Sequence, residues 1–250
     1  MDRMIYTAMN GAKQSFDQQA VVSNNLANVS TSGFRAQLSA MQSVPVEGDG
    51  VKTRTLPLAV TPGADFTTGP ITSTDRALDF AYKGDAWIAV QAPDGSEAYT
   101  RRGDVQVDQN GMLNIGGMAV IGEAGPILVP LDSQVSVGAS GTISVIEAGQ
   151  KPESIAEVAR VKLITAGRGQ LERGDDGLFR APADADGQVQ PLPADENARL
   201  VSGALEGSNV NATSAMVDMI NVQRRYEMQM KVINSADENE KSANSLLAMN

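Results

Sequence analysis

The sequence predicts an α+β fold in which one long helix at each end of the chain flanks an antiparallel, β-rich centre. Three observations carry this. All eleven prolines lie between Pro45 and Pro193, so both ends lack the residue that breaks helices. Residues 46–208 hold the whole formal charge of −10, whereas residues 1–45 sum to +1 and residues 209–250 to −1. Apolar residues recur at helical spacing in the ends and in short runs between turn signals in the centre.

In the first segment Met1, Ile5, Ala8, Ala12, Ser15, Gln19, Val22 and Leu26 alternate steps of four and three, a heptad-like stripe with small and polar members. Gly11 weakens this helix by about 1 kcal/mol against alanine. In the last segment Met219, Val222, Tyr226, Met230, Ile233, Ala236, Ala243 and Leu247 form a second stripe, interrupted by Glu240. Ser208 or Asn209 is the expected N-cap, and no proline or glycine follows, which predicts a helix of about 35 residues. The plain reading packs these helices on each other or on the core. Their narrow stripes with polar members suit repeated contacts between subunits better. Ordering about 70 terminal residues also demands more burial than one helix pair supplies, so several neighbours per helix and order gained on assembly are expected.

The centre reads as short strands at Ala86 to Val90, Glu97 to Arg101, Val105 to Val107 and Met112 to Ile115, with turns at Pro93-Asp-Gly95 and Gln109-Asn-Gly111. Further strands are expected at Ile127 to Pro130, Gln134 to Val137, Thr142 to Ile146 and Val158 to Thr165. Such spacing indicates an antiparallel barrel-like or sandwich domain. The expected segments are therefore 1–45, 46–207 and 208–250.

Composition narrows the function. With an apolar content of 42% the 250 residues can build a packed core. No cysteine or histidine is present, which removes disulfides, thiolate chemistry and imidazole catalysis. The acidic balance, without a basic cluster, argues against nucleic acid and anionic membranes as partners. No apolar run is long enough to insert in a bilayer, and the opening MDRMIYTAMNGAKQSFDQQ lacks the apolar core of a cleavable secretory signal. Asp184 and Asp186 before Gly187 fit a hairpin turn better than a calcium loop, because prolines occupy the first and twelfth ligand positions. GRGQLE, Gly167 to Glu172, lacks the third glycine of a dinucleotide loop. Asp75, Asp79 and Asp85 have no catalytic companions and are assigned to turns and caps. Asn28 and Asn211 head glycosylation-type triplets that receive no role. Tyr99, Arg101 and Arg102 are read as a strand-end surface group and a candidate contact of the outer domain. No enzyme activity, cofactor or metal is expected.

Three stretches carry a resemblance. NNLANVSTSGFRA, Asn24 to Ala36, resembles the signature of the bacterial flagellar axial proteins, those of the rod and hook. GALEGSNVNATSAMVDMINVQRRYE, Gly203 to Glu227, is similar to the family's C-terminal motif, and GDAWIAVQAPDGSEAYTRRGDVQVDQNGMLNI, Gly84 to Ile115, to its core segment. The opening stretch, the NVSTSGFRA form and RRYEMQMK look most like the proximal-rod member. The resemblance implies terminal helices packed as a coiled-coil-like inner tube, with a β-rich domain outside. It implies a structural rod subunit that transmits torque. Its partners would be copies of itself, other rod proteins including the distal-rod protein, the type III export apparatus and the rod-cap protein. Export without a cleaved signal and a place in the periplasmic rod are implied as well. A distal-rod or hook-type protein of the same family is the alternative, followed by a secreted binding module whose acidic centre recognises a ligand.

Within the signature, Asn24, Asn25 and Asn28 are expected to bond backbone groups where the first helix ends, while Thr31, Ser32 and Gly33 turn the chain toward the β-rich domain. The expected assembly interface joins Ile5, Ala8, Ala12 and Val22 of the first helix to Leu26, Ala27, Phe34 and the other signature positions. Met219, Val222, Tyr226, Met230 and Ile233 of the last helix complete it.

Overall fold

The proline-free ends form the two long helices, α1 (Asp2–Ala27) and α2 (Ala212–Leu247). The computed structural model describes residues 2–45, 55–61, 63–146, 156–184 and 187–247. The chain is α+β, and every strand pairing in its ladders is antiparallel. It divides into two compact units. One comprises residues 1–29, 36–63 and 210–250, and the other residues 30–35 and 64–209.

In the helical unit α1 and α2 run antiparallel, since Gln18 meets Arg225 while Gly11 meets Gln229. Ala8, Ala12 and Ser15 are buried as the stripe predicts, but Gln14 and Gln18 join them in place of Gln19. The reason is polar pairing: Arg225 Nη2 donates to Gln18 Oε1 at 2.7 Å. Gly11 marks close helix approach, because a Cβ there would lie 3.0 Å from Gln229 Cδ. Ile5, Val22 and Leu26 are half-buried; Met1 lies outside the described residues. On α2 Ala215, Val222 and Ala236 are buried, Met219, Met230, Ile233 and Ala243 are half-buried, and Tyr226 is exposed. The side chain of Leu247 lies outside the described set.

The cap of α2 differs from expectation. Asn211 Oδ1 accepts from the Ser214 amide at 3.0 Å, the ordinary N-cap bond. Asn209 is unavailable because its side-chain amide donates to the Asp65 and Thr67 carbonyls at 2.9 and 3.0 Å, and Ser208 is buried. The same unit holds an unpredicted ribbon, Ala40–Pro45 paired with Thr55–Val60. Pro45 and Pro57 speak against strands in sequence, yet a two-stranded ribbon has only edges, where proline is tolerated.

In the β-rich unit the strand Ala86–Gln91 lies within a five-stranded sheet, between Leu163–Thr165 and Glu97–Thr100; Phe179–Arg180 and Glu172–Arg173 follow beyond the latter. Both faces of that strand are buried. Ile88 and Val90 enter the larger core, while Trp87 and Ala89 enter a second with Phe66 and Phe179. The Trp87 and Phe179 rings are 4.7 Å apart, and Trp87 Nε1 donates to the Ala166 carbonyl at 2.9 Å. Val105–Val107 and Gln134–Val137 match the predicted strands, as does Thr142–Ile146.

Two predicted strands are corrected. Residues 127–130 form no ladder and make single bonds instead, Ile127 to Val120 and Val129 to Gly111. The expected 158–165 strand is two, Ala156–Arg160 and Leu163–Thr165, in different sheets. It breaks where the Val161 and Lys162 amides bond to Gly141 and Ile121. Asp184 caps a hairpin turn, its carboxylate accepting from Gln188 N and Gln190 Nε2, while Asp186 lies outside the described residues. Two pairings close the unit: Ile71–Ser73 with Ala204–Glu206, and Phe80–Lys83 with Arg199–Ser202.

Trp87 fills the second core and satisfies its own N–H, so Trp87→Ala removes the ring and orphans the Ala166 carbonyl. A loss of about 3–5 kcal/mol is expected in urea denaturation of the purified chain.

Candidate assembly site

The asparagine stretch ends α1 by bonding backbone. The Asn28 amide is shared between the Asn24 and Asn25 carbonyls, at 3.2 Å each, and Asn28 Nδ2 donates to Asn24 O at 2.9 Å. Asn25 forms a two-bond clamp on Gln37: Nδ2 donates to the Gln37 carbonyl at 2.9 Å, and Oδ1 accepts from the Gln37 amide at 2.8 Å. A side-chain amide thus replaces a strand neighbour. Ala27 is exposed, and Leu26 is half-buried beside it.

The second half of the signature belongs to the β-rich unit. Gly33 has φ +64°, and its amide donates to the Glu206 carbonyl at 2.7 Å. A Cβ on Gly33 would stand 2.2 Å from the Arg101 carbonyl, so position and conformation both require glycine. Thr31 accepts a bond from the Phe34 amide at 3.3 Å, which forms the turn. Phe34 is half-buried under the Arg173 guanidinium, 4.8 Å from its ring.

Arg35 ends an otherwise uncharged run and is itself 1% exposed. Its Nη2 lies 2.6 Å from Glu206 Oε1, a charge contact without good hydrogen-bond direction, and Nε and Nη1 have no partner among the described residues. Arg101 approaches the same carboxylate from the core strand, with Nε and Nη2 at 2.9 and 2.7 Å from Oε2. Gly69 N–H completes the shell of Oε1 at 2.9 Å. Arg101 Nη1 also donates to the Gly84 carbonyl, and its guanidinium lies 5.3 and 5.5 Å from the Tyr82 and Trp87 rings. One carboxylate, 1% exposed, thereby holds two buried guanidinium groups. Each of the three sequence motifs contributes one of these residues.

The surface reading of Tyr99 and Arg101 is corrected. Tyr99 is buried, donates to Glu97 Oε1 at 2.8 Å and accepts from the Leu192 amide, while Arg101 faces Glu206 rather than solvent. Arg102 alone remains partly exposed, in a two-bond pair with Asp104 at 3.0 and 2.6 Å. Ser32 Oγ donates to the same carboxylate at 3.1 Å. Asp79 is buried against Thr74 and Arg76, and Asp75 takes a positive φ just ahead of the turn that the Asp79 amide closes on the Arg76 carbonyl. Among the described residues no cluster of side chains could hold a metal ion.

Glu206 was missed in sequence because a strand-end glutamate resembles a solvated one. Its signal was context: it is the one acidic residue in the uncharged run from Leu200 to Val217.

The charges respond to this packing. Burial lowers the Arg35 pKa, and the Arg101 charge lowers it further. Burial raises the Tyr82 phenol well above its usual value; the hydroxyl donates to the Arg102 carbonyl. At Asp104 burial pushes upward, but the bonds from Arg102 and Ser32 and the Arg102 charge outweigh it, leaving the carboxyl below its usual range.

Three family models match the chain: "Flagella basal body rod protein" over residues 5–35, "Flagellar hook protein FlgE/F/G D1 domain" over 81–145, and "Flagellar basal body rod FlgEFG protein C-terminal" over 201–246. The flagellar basal-body rod protein FlgF of Escherichia coli (strain K12) is 54% identical over 250 residues, covering all of both chains. The protein of that name from Salmonella typhimurium is 53% identical over the same span. The flagellar basal-body rod protein FlgG of Bacillus subtilis (strain 168) is 31% identical, over 95% of this chain and 96% of its own.

Because the carboxylate is shared, the cluster is expected to respond unevenly to substitution. Glu206→Ala leaves two buried charges unpaired and should lose about 3–5 kcal/mol in urea denaturation. Arg35→Met, which keeps Glu206 bonded to Arg101 and Gly69, should lose about 1 kcal/mol or less. Equal losses would overturn the shared-carboxylate account. The Asp104 pair supplies stability that is complete above the ordinary aspartate pKa of about 3.9 and is lost as pH falls through the lower folded value. Asp104→Asn should therefore flatten the acid limb of the stability profile.

Proposed function

The chain belongs to the flagellar basal-body rod protein family, and we propose that it is a structural subunit of the proximal rod. In this reading α1 and α2 pack against the helices of neighbouring copies as a coiled-coil-like inner tube, the β-rich unit lies outside, and the assembly transmits torque. It passes through the type III export apparatus without cleavage of a signal. It joins the periplasmic rod beneath the rod-cap protein, next to other rod proteins including the distal-rod protein. The role is mechanical; no catalytic step belongs to it.

One observation carries the reading: both helices keep large apolar side chains exposed after pairing with each other. Tyr6 and Phe16 on α1 are 67% and 65% exposed, and Met216, Val217, Ile220 and Met228 on α2 are at least half exposed. Two helices of one chain leave that surface unburied, and a non-closing head-to-tail array of copies would cover it. The expected interface residues fall in two groups. Ala8, Ala12 and Val222 are spent within the chain, whereas Tyr226, with Met219, Met230 and Ile233 partly covered, remains for neighbours.

Replacing both Asn25 and Asn28 with leucine removes the Gln37 clamp and the Asn24 bond. The doubly substituted chain should be exported at normal levels yet be depleted from purified basal bodies, with motility lost in soft agar. Normal motility would remove the assembly role of the signature. Limited proteolysis of the purified monomer separates the alternative: ends clipped rapidly around a resistant β-rich unit fit a rod subunit, whereas resistant ends fit a self-sufficient binding module.

A further inference from the structure

Between α1 and α2 lies an open groove of about 430 Å³, lined by Gln18 and Val22 on one side and by Asp218, Val222 and Arg225 on the other. Val222 gives it an apolar floor, and Gln18 occupies Arg225 Nη2. Arg225 Nε is buried at the groove wall and has no hydrogen-bond partner among the described residues. A guanidinium in a groove wall is suited to a carboxylate, whereas Asp218 repels one, so the Arg225 end of the groove is the favourable one.

The same helix carries a matching anion. Glu240 interrupts the apolar stripe of α2, and at 3.6 residues per turn it falls on the face of Val222 and Ala236, both of which are buried. Glu240 itself is exposed. Nearby, Lys241 pairs with Asp237 at 2.5 Å. Along α2 the stretch Arg224 to Lys231 carries three basic residues and Glu227, a net positive charge, and precedes Asp237, Glu238 and Glu240, which outweigh Lys241. A helix charged in this order complements a copy of itself displaced along its axis.

We propose that the Arg225 groove receives the Glu240 carboxylate of a second copy of this chain. The separation of fifteen residues from Arg225 to Glu240 sets an axial offset of about 22 Å between neighbouring copies, at about 1.5 Å per residue. The proposal rests on the rod reading above and adds to it a specific neighbour contact and its register.

The chain has no cysteine, so a single engineered pair reports the contact cleanly. Asn221→Cys, in the groove, and Glu240→Cys are introduced together into the full-length chain, and basal bodies are purified under mild oxidation. Within one helix these positions are about 28 Å apart and cannot bond to each other. A disulfide-linked dimer of the chain is expected, and neither single variant should form it. In parallel, Arg225→Glu and Glu240→Arg should each reduce incorporation about tenfold, and the chain carrying both should return to within about twofold of the natural chain. The swap decides the matter if the cysteine chain fails to incorporate. Incorporated chains that give no dimer, a crosslink to a different protein, or a swap no better than its single variants would each overturn the proposal while leaving the rod reading intact. Absence of the natural chain from basal bodies would overturn both.

Discussion

The β-rich unit depends on one buried carboxylate. Glu206 is reached by Arg35 from the N-terminal signature, by Arg101 from the core strand and by the Gly69 amide, and its own carbonyl receives the Gly33 amide. Two guanidinium groups around one carboxylate leave an excess positive charge out of water, a costly arrangement unless each piece is placed accurately. Segments 30–35 and 204–209 therefore depend on each other: without the strand Ala204–Glu206 beside Ile71–Ser73, Arg35 loses the carboxylate it contacts. The two motifs that look independent in sequence are one structural element.

That dependence explains the spelling of the signature. Gly33 must be glycine because the Arg101 carbonyl occupies the space of a side chain, and Ser32 must reach Asp104. Upstream, Asn25 holds Gln37 while Asn28 closes the last turn of α1. The signature thus straddles the division of the chain, with residues up to 29 in the helical unit and residues 30–35 in the β-rich one. A low-charge sequence suits this position, since Asn25 and Asn28 are consumed by backbone groups and Ser32 and Arg35 by neighbours of fixed identity.

Much of the fold was legible in the sequence. Proline exclusion and helical spacing located both helices, and Asn-Gly and Asp-Gly turns located the central hairpins. The ribbon Ala40–Pro45 with Thr55–Val60 was hidden by its prolines, and the short closing strands such as Ile71–Ser73 are set by long-range pairing rather than by local pattern. In the candidate site the backbone-bonding role of Asn25 followed from residue type. The fate of Arg101 did not, because a pair of adjacent arginines at a strand end reads as solvated until Glu206, more than a hundred residues later, is brought beside it.

The helical unit follows the opposite rule from the β-rich one. Its seam contains Gln14, Gln18 and Ser15 where an autonomous helix pair would place leucine, and Gly11 permits a close approach at Gln229. Ser15 Oγ bonds back to the Gly11 carbonyl, a contact that competes slightly with regular helix geometry. Such a seam specifies the pairing of α1 with α2 through hydrogen bonds such as Gln18 to Arg225, yet contributes little apolar burial. The large apolar side chains point elsewhere. Polar pairing within the chain and the exposed large apolar side chains thereby fall on different faces of the same two helices, and a pair held with so little apolar burial is weakly stabilised by itself.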